Sequence, residues 1–210
     1  RQQLFLGHAA ALHQLGKARR GQALAWGRYL RSGELSAFVD AVHANERKDY
    51  QVYPPGEREA HMVVEFINPM DWRNRRVLGF DMYSEETRRE AIAQARDSGE
   101  AVLTGPLRLK QETDKDAQAG VLLYLPVFRL NAPLSTVEER QEAVQGMVSG
   151  SFRMADLMRG ILGNSSSQFE VELIDSAASD APLLAHREAA GHKPRFHAAR
   201  NLSIYGRDWQ

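Results

Sequence analysis

The residue of greatest chemical interest is Asp81, set in the apolar run VLGFDMY over residues 77–83. Asp is depleted in strands, so a carboxylate inside such a run calls for a reason. If the run is a strand, side chains alternate between its two faces. Leu78, Phe80 and Met82 then share one face, and Val77, Gly79, Asp81 and Tyr83 the other. Gly79 leaves a gap beside Asp81, with Tyr83 on the far side. A partly apolar recess holding one acceptor suits a neutral ligand with N–H groups. A carboxylate there is costly to desolvate, and two donated N–H groups would relieve that cost. The competing reading is an Asp that makes a turn or supports the next helix. Ser84 stands at the expected N-cap of that helix, with Glu85 and Glu86 in its first turn, so that role is already filled.

Other chemistry finds little support. The seven histidines make no metal-ligand pattern: His8 and His13 are five apart, His192 and His197 lie in a charged segment, and there is no HExxH. No glycine-rich phosphate loop of dinucleotide or P-loop form occurs, and Ser165–Ser167 have no triad motif around them. The pairs Glu85-Glu86 and Glu138-Glu139 fall in helix first turns, where the helix dipole accounts for them. With no cysteine, disulfides and thiolate chemistry are excluded. Lys+Arg and Asp+Glu both number 27, without long blocks of one sign, which argues against a nucleic-acid surface. The expectation is a protein without catalytic residues, metal or cofactor.

The elements that must position Asp81 follow from periodicity. Residues 1–20 read as a helix with Leu4, His8, Ala11, Leu12 and Leu15 on one stripe. GQALAWGRYL at 21–30 reads as a strand, and 34–46 as a helix with Leu35, Phe38, Val39 and Val42 inward. A loop with Pro54-Pro55-Gly56 leads to the strand MVVEFIN at 62–68. The helix over 85–98 is closed by Gly99, and its Arg88-Arg89 pair reads as a solvated face. The strand at 101–110 is interrupted by Gly105-Pro106, and GVLLYLPVFRL at 120–130 is the most apolar strand. Ser135 with Glu138 forms a capping-box pattern for a helix over 136–144. A strand at 145–152, a helix at 154–162 with an apolar Met-containing stripe, and strands at 168–175, 183–186, 195–198 and 202–210 complete the chain. Two strand–helix–sheet units in series argue for an α+β fold. No apolar run reaches the length of a membrane helix. Arg1 falls inside an expected helix and Gln210 inside an expected strand, so the chain is expected to be cut from a longer protein.

Four stretches together carry a family resemblance: FDMYSEETRREAIAQARDSGEAVLTGPLRL, GVLLYLPVF, STVEERQEAVQGMVSGSFRMADLM and the closing GRDW. Over roughly residues 21–210 their order and spacing are similar to the CHASE domain. That is the extracytoplasmic sensor module of membrane-bound histidine kinases, diguanylate cyclases and adenylate cyclases, including plant cytokinin receptors. The resemblance implies a stalk helix at 1–20, which packs on a second copy to make a homodimer. It further implies a membrane-distal PAS-like ligand-binding subdomain at 21–134 and a membrane-proximal one at 135–210. The location implied is periplasmic, with membrane helices outside this chain and a kinase or cyclase output domain.

The resemblance also places a site. Asp81 occupies the position of an aspartate that receives hydrogen bonds from the adenine moiety in cytokinin receptors. The AVLT run aligns too, so Leu103 and Thr104 are expected to line the pocket, and Thr113 to stand near the ligand's tail. Strand position adds Phe66, Phe80, Tyr83, Val121 and Leu123 as walls. The expected partner is a small, adenine- or cytokinin-like molecule. The alternative is a ligand-free dimerisation and transmission module in which Leu4, Leu12 and Leu15 carry the function.

Overall fold

The computed structural model describes residues 23–45, 47–113, 117–163, 170–178, 180, 183–187 and 196–210. The stalk helix at 1–20, and with it Leu4, Leu12, Leu15 and the implied dimer contact, lies outside these residues.

A five-stranded antiparallel sheet organises the chain, in the order β2-β1-β5-β4-β3. Its strands are β1 (Ala23–Arg31), β2 (Ala60–Asn68), β3 (Val102–Leu103), β4 (Gly120–Phe128) and β5 (Val144–Arg153). Alternation along each strand gives the sheet two apolar faces. Helix α1 (Leu35–Ala44) covers one of them near β1 and β2, packing Leu35, Phe38 and Val42 against Leu30 and Val63. Helix α2 (Glu86–Ser98) covers the other face with Ala91, Ile92 and Ala95. It ends at Gly99, whose φ of 79° is the left-handed conformation that a side chain disfavours.

A second, smaller group of elements follows. Helix α4 (Met154–Leu162) packs with the hairpin β6–β7 (Val171–Ile174, Leu183–Arg187) and the hairpin β8–β9 (Leu202–Ile204, Arg207–Trp209). Tyr205 and Gly206 both have positive φ, the backbone of a tight two-residue hairpin turn. The core of this group takes in Leu103 and Val121 from the first sheet, beside Met154, Leu173, Leu184 and Trp209. The fold is therefore α+β, with antiparallel sheets and four α-helices among the described residues, the fourth being α3 (Val137–Ala143).

Several expectations need correction. Val77–Tyr83 is not a strand. Asn74–Val77 and Met82–Ser84 are 3-10 turns, and only Phe80 and Asp81 make single bridges, to Tyr53 and Val63. The cause is Gly79, at φ 78°, whose position for a Cβ lies 1.8 Å from the Gln51 carbonyl oxygen. A left-handed residue in mid-run destroys the alternation that the apolar pattern suggests. Ser84 does not cap α2. Its hydroxyl donates to the Asp81 carbonyl, and the N-cap is Glu85. The capping box of α3 falls one residue later than expected, on Thr136 and Glu139. The segment 202–210 is a hairpin rather than one strand, and residues 196–200 form no strand.

The boundary expected at 134/135 does not separate the two groups. Strand β5 lies beyond it, yet pairs with both β1 and β4 in the first sheet. Sequence order hides this because β5 returns from the far end of the unit to pair beside the first strand. The break in the fold comes instead between β5 and α4.

Candidate functional site

Two rows of residues across the sheet create a depression under α2. Ala23 pairs with Ser151 and Ser151 with Leu122, while Ala25 pairs with Ser149 and Ser149 with Tyr124. Four small side chains on adjacent strands leave space that larger ones would fill. Met82, Val64 and Ile67 supply further apolar wall, and Phe80 lies across the space. The hollow has a volume of about 20 Å³, enough for one water.

Its polar lining comes from three elements. Arg88 projects from α2, Lys110 and Gln111 come from the loop between β3 and β4, and Ser149 and Ser151 from β5. Arg88, Gln111, Ser149 and Ser151 are all buried, with exposures of 3%, 4%, 4% and 3%. Burying that many polar groups around one space costs free energy unless they find partners. Arg88 donates from Nε to Glu85 at 2.6 Å and from Nη2 to the Arg108 carbonyl at 3.2 Å. Its guanidinium stands 5.3 Å from the centre of the Phe80 ring, and the Lys110 ammonium 4.6 Å from the same ring. Lys110 pairs with the other oxygen of Glu85 at 2.6 Å. Burial works against the ionised Glu85 carboxylate, but hydrogen bonds from Lys110 and Arg88 outweigh it and hold its pKa below the ordinary value. Tyr124, beside Arg88 and donating to the Met82 sulfur, has its phenol pushed up to about 12 by burial.

Asp81 stands apart from this hollow. It is fully buried, and all four acceptor positions of its carboxylate are used by the protein itself. Oδ1 accepts from the Met62 and Tyr83 amides at 3.0 Å each. Oδ2 meets His61 Nδ1 at 2.8 Å and Arg58 Nη1 at 3.2 Å. The carboxylate caps the 3-10 turn at Met82–Ser84 and ties it to β2. Its inward position matches the sequence reading, but the recess beside it does not exist, because Gln51 and Val52 fill the space next to Gly79.

The other expected wall residues scatter. Phe80 alone among them lines the hollow. Leu103 and Val121 belong to the second core, and Leu123 packs on that core from its edge. Thr104 accepts the Leu122 amide through its hydroxyl at 3.0 Å, mending the ladder where β3 ends. Tyr83 is buried edge-on against Tyr29, and Phe66 holds the Arg47 guanidinium 5.2 Å from its ring. Thr113 is half-buried in the β3–β4 loop and does not line the hollow. On β4 the inward face is Leu122 and Tyr124, one residue out of step with Val121 and Leu123.

The loop that carries Lys110 and Gln111 is anchored to the second group of elements. Glu112 pairs with Arg153 at 2.9 Å, Arg153 pairs with Asp156 at 2.7 Å, and the Met154 amide donates to the Ala119 carbonyl. Elsewhere, Glu170, Glu172 and His186 lie together on the exposed face of β6–β7. Glu172 and His186 are cross-strand partners, so strand pairing explains that grouping. Among the described residues no helix is long and apolar enough to cross a membrane.

The family model for the CHASE domain matches residues 2–185 of this chain. The chain belongs to the CHASE family. Several curated relatives of this CHASE domain are histidine kinases. Probable histidine kinase 6 of Oryza sativa subsp. japonica is 33% identical over 124 residues, 57% of this chain and 12% of its own length. Probable histidine kinase 4 of the same organism is 35% identical over 109 residues, 50% of this chain and 10% of its own. Hybrid signal transduction histidine kinase A of Dictyostelium discoideum is 26% identical over 146 residues, 68% of this chain and 7% of its own. The CHASE domain thus spans about a tenth of the length of these three relatives. Among solved structures, the ligand-binding domain of the Pseudomonas aeruginosa amino acid chemoreceptor PctC in complex with GABA aligns with a TM-score of 0.43. That alignment has 13% identity and covers 96% of this chain and 78% of the other.

As a CHASE domain, the chain is a ligand-sensing module of receptors. A sequence signal for Arg88 existed. Arg88, Ala91, Ile92 and Ala95 fall at i, i+3, i+4 and i+7, so the buried stripe of α2 runs back onto the arginine. The adjacency of Ala23, Ala25, Ser149 and Ser151 had no such signal, since it depends on the pairing of strands over a hundred residues apart.

Proposed function

We propose that this CHASE domain is the extracytoplasmic sensor of a membrane-anchored signalling receptor of the histidine kinase kind, and that its ligand occupies the hollow between the sheet and α2. The observation that carries the site is the convergence of buried Arg88, Gln111, Ser149 and Ser151 on a space floored by alanines. Periplasmic location and a kinase output are the finer parts of this reading, supported by the family and by its histidine kinase relatives. Asp81 is assigned a positioning role. It fixes Phe80 and Met82 in the wall through the backbone at Met62 and Tyr83.

A guest larger than one water requires the walls of the hollow to part, and the segment with Lys110 and Gln111 is one of those walls. That segment is tied through Glu112 and Arg153 to the start of α4. Binding changes signalling only if it favours one arrangement over another, and this tether gives the hollow a mechanical link to the second group of elements. We assign residues 23–153 to the membrane-distal unit and residues 154–210 to the membrane-proximal one.

Thermal denaturation of this chain against a library of small metabolites tests the site. A ligand must raise the melting temperature of the natural sequence, and Ser149→Leu, which fills the hollow, must remove the response. Persistence of the response in Ser149→Leu would move the site elsewhere. The water-sized volume of the hollow favours a second reading, a transmission module without a ligand. That reading predicts no response to any compound and a stabilised Ser149→Leu protein.

A further inference from the structure

The charges around the hollow point to the chemistry of its guest. Among the described residues, the charged side chains in its lining are Arg88 and Lys110, and none of the carboxylates lines it. Both cations lean on one acid, Glu85, which gives one oxygen to each at 2.6 Å. Two positive charges against one negative leave an excess of one positive charge at the polar end of the hollow. The nearby buried acids cannot correct this. Glu112 is paired with Arg153, and Asp81 has its acceptors filled by Arg58, His61 and two amides. Beyond the cations, Gln111 and Ser149 supply hydrogen-bond donors, Ser151 gives its own to the Ala23 carbonyl, and the other lining is apolar, with Phe80, Met82 and Leu122. Among the described residues the hollow has no carboxylate to receive N–H groups of a base such as adenine.

We propose that the ligand is a small organic anion, with one carboxylate held by Arg88 and Lys110 and an apolar body lying over Ala23 and Ala25. This rests on the hollow being the ligand site. Paired cations recognise a carboxylate by charge-assisted hydrogen bonds, and the excluded water strengthens them. The same arrangement disfavours an amine, which would meet two like charges, and gives an amide of the same shape no charge to match.

The test is calorimetry and thermal denaturation with isovalerate, hexanoate, phenylacetate and benzoate, each beside its own amide and amine, and with adenine. Expected is binding by one or more acids, none by the matching amides and amines, and a loss of at least about tenfold in affinity in Lys110→Met. Arg88 is buried and its replacement tests folding as much as binding, so Lys110, which is partly exposed, is the deciding position. Binding of amides, amines or adenine as strong as the acids, abolished by Ser149→Leu, overturns the anion proposal and leaves the hollow as the site. Acid binding that survives Ser149→Leu overturns both. Silence of every acid at millimolar concentration overturns the proposal, and the neutral and cationic members then report on the hollow by themselves.

Discussion

Glu112 and Arg153 form an ion pair at 2.9 Å between the loop flanking the hollow and the residue before α4, with side-chain exposures of 1% and 11%. Glu112→Ala removes this contact while Arg153 keeps Asp156 at 2.7 Å. The loss is expected to be about 1.5–3 kcal/mol of stability, the range for hydrogen bonds to charged groups. Urea unfolding of the natural chain and the variant measures it. A cost within the range of an exposed pair would show that the tether carries no strain between the two groups of elements.

Asp81→Asn tests the positioning role. The amide offers one oxygen where the carboxylate offers two, so at least one of the Met62 and Tyr83 amides, His61 and Arg58 loses its acceptor. A loss of about 1–3 kcal/mol is expected for each buried donor left unsatisfied. At temperatures where the variant stays folded, its ligand affinity should fall less than that of Lys110→Met. A larger fall would return Asp81 to the binding surface.

Gly79→Ala places a Cβ against the Gln51 carbonyl in a left-handed backbone. Strain of this kind costs about 1–3 kcal/mol before the clash is counted. The melting temperature should drop accordingly, whereas the same substitution at Gly33, where a Cβ meets nothing within 4 Å, should be milder.

The dependence on pH follows from two groups with opposite signs. Glu85 has its folded pKa lowered from an ordinary 4.5, so its stabilising contribution is whole above that value and is lost as pH falls through the folded pKa. The stability difference between the natural chain and Glu85→Gln should shrink on acidification. Tyr124 has its pKa raised from 10.0 to about 12, so its contribution is whole below pH 10 and lost as pH rises towards 12. In an alkaline absorbance titration the Tyr124 signal should appear late, with unfolding.

Much of the architecture was legible locally. Helices α1, α2 and α4 and strands β2, β4 and β5 follow their hydrophobic periods, and Gly99 ends α2 as a left-handed cap. The inward placement of Asp81 was also legible, since an acid in an apolar run is buried with the run. Its partners were not. His61 and Arg58 lie 20 and 23 residues upstream, and nothing in the spacing of the run announces that they meet its carboxylate.

The sequence by itself determined the family, the element types and the presence of a buried acid, because each is written in contiguous residues or in their order. Only the tertiary structure decided where the hollow is and what faces it. One positive φ at Gly79 turned an apparent strand into two turns, which sealed the recess beside Asp81. The insertion of β5 between β1 and β4 then brought Ser149 and Ser151 beside Ala23 and Ala25 beneath Arg88. Strand pairing between distant segments is a non-local choice, and so the polar hollow could be seen only once the sheet was assembled.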